Sequence, residues 1–307
     1  MNKGVVIKSI GSSYRVRLEN EKTITCGIRG KLRLKGNRGT NPVTVGDYVS
    51  LEKTDTDQYI IVKVEPRKNY IIRKATNLSR THHILAANID QAVLLATLAY
   101  PETTTVFMDR FLVTAEAYRI PPIVVFNKMD LYDDEMLERA NLLAFIYKSI
   151  GYQTLVVSVK SGKNLDKLEK LLFNKTTLIS GHSGVGKSTL LNTLNPELSL
   201  KVEEISSHHK SCKHTTTFSE MHTIKNGGYI IDTPGIKAFG IIDIDKNELY
   251  HFFPEIFKYS ENCKYHNCTH IQEPECAVIE ALDEGLISVS RYNSYLNMFF
   301  DEDNKYR

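Results

Sequence analysis

The chain has 307 residues, enough for about two domains and a sizeable hydrophobic core. With 42% hydrophobic and 24% charged residues it has the balance of a soluble globular protein, and its longest apolar stretch, near Ala92 to Ala99, is too short to cross a bilayer. The net charge of +3 hides an asymmetry, since residues 1–84 carry 17 Lys+Arg against 7 Asp+Glu and the remainder 22 against 29. A basic front on an acidic body suits a polyanionic partner such as nucleic acid, although a solvated surface gives the same numbers.

The chain opens Met1-Asn2-Lys3-Gly4-Val5-Val6-Ile7-Lys8, where lysines interrupt any signal-peptide core, so a cytoplasmic protein is expected. Five short apolar or alternating runs follow, at Gly4–Lys8, Ser13–Leu18, Thr23–Ile28, Asp47–Leu51 and Tyr59–Val64, with turn residues between them. Five strands without a helical period predict a small β-barrel of the OB type over residues 1–66. Between its third and fourth strands, residues 29–38 carry five cations and no acid, a composition suited to tracking a phosphate backbone. Residues 67–85 read as a connector.

From residue 86 to 241 strands alternate with helices, the pattern of a doubly wound α/β domain with a mainly parallel sheet. Strands are predicted at Ile89–Leu98, Pro122–Phe126, Thr154–Ser158, Thr176–Ser180, Glu220–Ile224 and Tyr229–Ile231, and helices over 104–119, 133–149 and 163–172. Residues 242–307 return to helices around a Cys/His cluster.

Three motifs carry nucleotide chemistry. Gly181-His182-Ser183-Gly184-Val185-Gly186-Lys187-Ser188 is a complete phosphate-binding loop between a strand and a helix. Its amides would surround the phosphates, Lys187 would reach the β/γ oxygens, and Ser188 would ligate Mg²⁺. Asp232-Thr233-Pro234-Gly235 ends an apolar strand, placing a carboxylate to hold the metal through water and the Gly235 amide to meet a γ-phosphate. Asn127-Lys128-Met129-Asp130 follows a buried strand and has the form of a guanine reader. Asp130 would accept from N1–H and the 2-amino group, Asn127 would face O6/N7, and the Lys128 stem would cover the ring. Ser158-Val159-Lys160, after the next strand, would support the base through its backbone.

The order of these motifs is unusual. In most guanine-nucleotide hydrolases N-K-x-D follows the other two, whereas here it precedes both, which indicates a circularly permuted domain. Thr215, Thr216 and Thr217 are the natural source of a second Mg²⁺ ligand, with Thr216 the preferred one. Ile236 stands where Ras-like enzymes keep a water-orienting glutamine. His214 is the best substitute for that role, although a lone histidine also serves structural ends.

Cys263-x4-Cys268-x-His270-x5-Cys276 supplies three thiolates and an imidazole, a closed tetrahedral set of the kind that holds one structural Zn²⁺; His266 competes for the imidazole position.

With these residues in place, the chain resembles the ribosome small-subunit-dependent GTPase A (RsgA) family over nearly its whole length. The resemblance rests on the barrel, the permuted motif order, His214-Thr215-Thr216-Thr217 and the C-x4-C-x-H-x5-C cluster. It implies a GTPase that binds the 30S subunit and 16S rRNA late in maturation and is stimulated by that subunit. It also implies zinc at Cys263, Cys268, His270 and Cys276, His214 as the catalytic histidine, and a monomer without membrane attachment. The competing classes are a nucleotide-regulated RNA-binding module with negligible turnover, for which Ile236 argues, and an ATP-driven RNA-remodelling enzyme, against which N-K-M-D argues.

Overall fold

Five strands whose inward positions are apolar roll into a barrel: β1 (Asn2–Ile10), β2 (Ser13–Leu18), β3 (Thr23–Ile28), β4 (Tyr48–Lys53) and β5 (Tyr59–Val64). Successive neighbours pair in the order β1-β2-β3-β5-β4, and an antiparallel β4–β1 ladder closes the ring, the strand order of an OB-type barrel. Val6, Tyr14, Val16, Leu51 and Ile61 fill the interior. The computed structural model describes residues 2–30, 42–55, 57–74, 82–200, 219–225, 227–232 and 244–300. Most of the basic loop, from residue 31 to 38, lies outside them.

The stretch read as a connector has structure of its own. β6 (Tyr70–Lys74) and β7 (His82–Ala87) form an antiparallel pair, and Arg67 donates to both oxygens of the fully buried Asp47 at 2.7 and 2.8 Å. Thr44 N also donates to Asp47, so the carboxylate is satisfied on several sides, as burial of a charge requires.

The chain divides into two compact units. The first comprises Met1–Val93, Asp166–Ser180 and Lys187–Ile236. Besides the barrel it holds β11 (Thr176–Ser180), β12 (Glu220–Thr223), β13 (Tyr229–Asp232) and helix α4 (Lys187–Leu194). β11 runs parallel to β13, β12 antiparallel to it, and β12 joins the barrel where Lys8 pairs with Glu220. Lys8 Nζ closes that junction with a 2.6 Å ion pair to Glu220.

The second unit comprises Leu94–Leu165, Gly181–Gly186 and Lys237–Arg307. It holds the end of β8 (Gln91–Ala96), α1 (Thr105–Ala117), β9 (Pro122–Phe126), α2 (Asp134–Ile150) and β10 (Gln153–Val156). β9 is buried along its whole length and pairs parallel with β10. α2 is bounded as its sequence dictates: the Asp133 side chain accepts from Met136 N, and Gly151 ends the helix in a left-handed conformation at φ 110°. β8 stops short of the expected Leu98 because Thr97 turns to bond Thr103. α3 (Leu165–Leu172), which crosses the unit boundary, starts two residues later than expected because Asn164 adopts φ 60°.

The C-terminal part of this unit packs α5 (Pro254–Ser260), α6 (Ala277–Asp283) and α7 (Val289–Phe300) around Leu249, Phe253, Ile256, Val278 and Tyr295, with Val113 of α1 joining the cluster. Arg291 of α7, fully buried, donates to Asp109 of α1 and Glu255 of α5, each at 2.7 Å, beneath the ring of Phe253. Among the described residues no helix is long and apolar enough to cross a membrane.

Candidate nucleotide and metal sites

Asn127 leaves the end of β9 buried, and its amide group is used at both ends. Nδ2 donates to Val185 O at 2.9 Å, and Oδ1 accepts from Val159 N at 3.0 Å. One side chain thus joins the Gly181–Gly186 loop to the Ser158-Val159-Lys160 loop. The phosphate-loop glycines make this possible. Gly186, at φ 102°, lies where a Cβ would stand 2.5 Å from Asn127 Nδ2, and a Cβ on Gly181, at φ 149°, would meet Leu95 O at 2.3 Å.

Lys128 takes a left-handed conformation at φ 66° and donates Nζ to Tyr100 O. Burial lowers its pKa, against the opposing pull of Asp130. Met129 opens a single helical turn, and Met129 N bonds Val157 O at 3.1 Å. Asp130 is exposed, with Oδ1 accepting from the buried Ser158 Oγ at 2.5 Å, while Ser158 Oγ accepts from Ser161 N at 3.0 Å. Lys160 is exposed. In the phosphate loop His182 stacks on Phe107 of α1 with ring centres 3.8 Å apart, Ser183 and Gly184 are exposed, and Val185 is buried.

Lys187 and Ser188 open α4 in the first unit, where Asp232 ends β13. Burial raises the Asp232 carboxyl above its ordinary range, and the charges of Lys187 and His222 pull it back. His214, Thr215, Thr216, Thr217 and Gly235 lie outside the described residues.

Cys263, Cys268, His270 and Cys276 converge, their ligand atoms all within 4.8 Å of one another. Cys268 Sγ lies 3.6 Å from Cys276 Sγ, which lies 3.6 Å from His270 Nδ1 and 3.9 Å from Cys263 Sγ; Cys263 Sγ and His270 Nδ1 are 3.6 Å apart. Ligands on tetrahedral corners about 2.3 Å (sulfur) and about 2.0 Å (nitrogen) from an ion stand about 3.5–3.8 Å apart, so the group fits a four-coordinate metal. Burial lowers the His270 pKa, which favours the neutral ligand form, and pushes Cys268 up to about 12, a shift that a bound cation reverses. His266 is exposed and stands outside the group.

Two supports of this cluster escaped the sequence reading. Glu273 caps the loop between the ligands, accepting from Thr269 N and Oγ1 and from Ile271 N and Gln272 N at 2.5–3.2 Å. Tyr292 and Tyr295 donate their hydroxyls to His270 O and Thr269 O, each at 2.7 Å. An acid three residues after the ligand histidine is the one local signal that pointed to such a cap. Near the nucleotide motifs the reading missed Tyr132, whose hydroxyl donates to Asn127 O at 2.6 Å and accepts from Leu98 N at 2.9 Å.

A family model described as RsgA GTPase matches residues 64–242, and one described as RsgA N-terminal domain matches residues 3–61. The small ribosomal subunit biogenesis GTPase RsgA of Phocaeicola vulgatus is 54% identical over 306 residues, with 99% of each chain covered. Its namesake in Porphyromonas gingivalis is 50% identical, covering 98% of this chain and 97% of its own. Among solved structures, YjeQ from Thermotoga maritima superposes with a TM-score of 0.80 at 36% identity over 98% of both chains. YloQ, described as a circularly permuted GTPase, gives a TM-score of 0.75 at 32% identity, covering 97% of this chain and 93% of its own.

Proposed function

The chain belongs to the RsgA GTPase family and is a GTP-hydrolysing enzyme, and from that premise we propose that it acts in the cytoplasm late in maturation of the 30S ribosomal subunit. It binds the subunit through 16S rRNA in a GTP-dependent way, as a monomer, and the subunit stimulates its hydrolysis. The relatives' name, small ribosomal subunit biogenesis GTPase, supports the subunit as partner. The excess of cations in residues 1–84 supports contact with RNA there.

The observation that carries the nucleotide reading is the Asn127 side chain, which ties the guanine motif to the phosphate loop although the motif comes first in the chain. Asp130 reads the guanine N1–H and 2-amino donors; adenine offers neither, so with adenine the carboxylate keeps only its bond from Ser158. The Gly181–Gly186 amides and Lys187 hold the phosphates. Ser188 and Thr216 would hold Mg²⁺, which supplies neutralising charge to the phosphates when bound. Asp232 supports that position, Gly235 donates to the γ-phosphate, and His214 orients the attacking water. Cys263, Cys268, His270 and Cys276 would hold one structural Zn²⁺, leaving no open position for chemistry. The domain organisation we favour is an OB barrel over 1–66, a connector over 67–85, the permuted GTPase domain over 86–241 and a zinc module over 242–307.

The test is GTP hydrolysis by the purified protein alone and with 30S subunits, with 50S subunits and ATP as controls. Slow turnover that rises sharply only with GTP and 30S supports the proposal. Tight GTP-dependent binding to 30S without stimulation would leave the subunit as a docking site and remove its role as activator.

A further inference from the structure

We propose that Tyr132 is a positioning residue for guanine recognition, its hydroxyl wedged into the fork between β8 and β9 so that the base-reading loop is set against the loop covering the phosphate site. This rests on the assignment of Asn127-Lys128-Met129-Asp130 as the guanine reader.

The ends of β8 and β9 lie side by side, where Asn127 N donates to Ala96 O at 2.8 Å. The strands are sheet neighbours joined by α1, the connection of a parallel pair, in which the next ladder bond is Leu98 N to Asn127 O. That bond is replaced. The Tyr132 hydroxyl occupies the slot, accepting from Leu98 N at 2.9 Å and donating to Asn127 O at 2.6 Å. A phenol oxygen between two ladder partners holds them several ångströms apart while leaving both satisfied, which an apolar wedge cannot do.

What the fork opens is where the base chemistry lies. Beyond it β8 becomes a tight loop: Thr97 N bonds Thr103 Oγ1 at 3.1 Å, Thr103 N bonds Thr97 O at 2.7 Å, and Thr97 Oγ1 donates to Pro101 O. This loop meets both neighbours. Pro101 Cδ lies 3.3 Å from where a Gly184 Cβ would stand, and Tyr100 O accepts from Lys128 Nζ. Tyr132 therefore ties the backbone of Asn127 to a loop that touches the phosphate loop on one side and the Lys128 side chain on the other. Its action is on the base, not on the γ-phosphate.

The experiment is Tyr132→Phe, read by affinity for GTP and GDP and by steady-state GTP hydrolysis with 30S subunits. Tyr147→Phe, which loses a buried 3.0 Å hydroxyl bond to Asp109 away from these loops, is the stability control. We expect Tyr132→Phe to weaken GTP and GDP equally, by about five- to ten-fold, raising KM with kcat unchanged. Tyr147→Phe should leave both affinities as they are. Unchanged affinity in Tyr132→Phe, or a fall in kcat at constant KM, overturns the assignment. Asp130→Asn separates the two layers. If it shifts preference toward xanthine nucleotides while Tyr132→Phe binds GTP normally, the Tyr132 role alone falls; if it leaves base preference intact, the guanine reading falls with it. Should Tyr132→Phe not fold, hydrogen exchange in the native protein decides. The Leu98 amide should exchange more slowly with GDP bound, and the same rate with and without GDP refutes the wedge.

Discussion

The barrel and the C-terminal metal module solve the same problem in opposite ways. The barrel is a closed ladder: each strand finds two neighbours, and its apolar side chains meet in one interior. Among its described residues the metal module has three α-helices and a 3-10 helix (Lys246–Phe252), and between Cys263 and Cys276 the chain forms neither helix nor strand. Two of its thiols, Cys268 and Cys276, are themselves members of the apolar cluster. Backbone groups there are satisfied by side chains, with Glu273 taking three amides and the Thr269 hydroxyl and two tyrosine hydroxyls capping carbonyls. A ladder distributes stability over many similar bonds, whereas the module concentrates it in a few groups that must all be present.

The largest break in that comparison should come from the metal. With zinc held by this group as proposed, a chelator is expected to unfold the 263–276 segment, since small zinc sites contribute about 10–16 kcal/mol of apparent binding energy to folding. Hydrogen exchange checks it: protection should vanish around Cys268 and His270 while β1–β5 keep theirs, and parallel loss in both regions would contradict the contrast. Next comes Arg291→Ala, which strands Asp109 and Glu255 without their cation in a buried site and should cost about 3–5 kcal/mol in urea unfolding. Metal content of the folded fraction should be unchanged. Leu51→Ala breaks the other region, removing a buried side chain from the barrel at about 2–4 kcal/mol, with guanine-nucleotide affinity kept.

The smallest effect sharpens the contrast. Glu273→Gln should lower stability by about 1–2 kcal/mol and speed metal loss to a competing chelator. Burial pushes the Glu273 carboxyl up, but the Thr269 hydroxyl and the Thr269 and Ile271 amides outweigh it and hold the pKa at about 2. A depressed carboxyl pKa stabilises the fold fully above the unfolded value, about 4.3, and loses that contribution as pH falls toward 2. The gap between wild type and Glu273→Gln should therefore close across that acid window, and a constant gap would assign the effect to shape alone.

Much of this was legible beforehand. The five barrel strands were readable because a half-buried strand imposes a period of two, and β1 to β5 fall within about two residues of the expected spans. The phosphate loop and the Cys/His spacing were readable because loop geometry and metal coordination both demand particular residues at short separations. Less legible was the choice between His266 and His270, which spacing left open; burial beside the thiols selects His270. The region after residue 66 read as a connector from its Glu65-Pro66-Arg67-Lys68 start, and nothing in that run announces that Arg67 is held by Asp47, twenty residues back.

The sequence by itself determined which chemistry this protein carries, since each motif is a contiguous run whose backbone and side chains act together. It also determined the permutation, because motif order is a property of the chain alone. Only the tertiary structure decided who supports those motifs. Asn127 meets Val185 from 58 positions away, Arg291 meets Asp109 from 182, and Tyr132 sits in a fork that exists only once β8 and β9 are aligned. Arg291 and Tyr132 look like ordinary helix and loop residues when read locally. Burial and hydrogen-bond satisfaction are set by neighbours distant in the chain, and no local pattern encodes them.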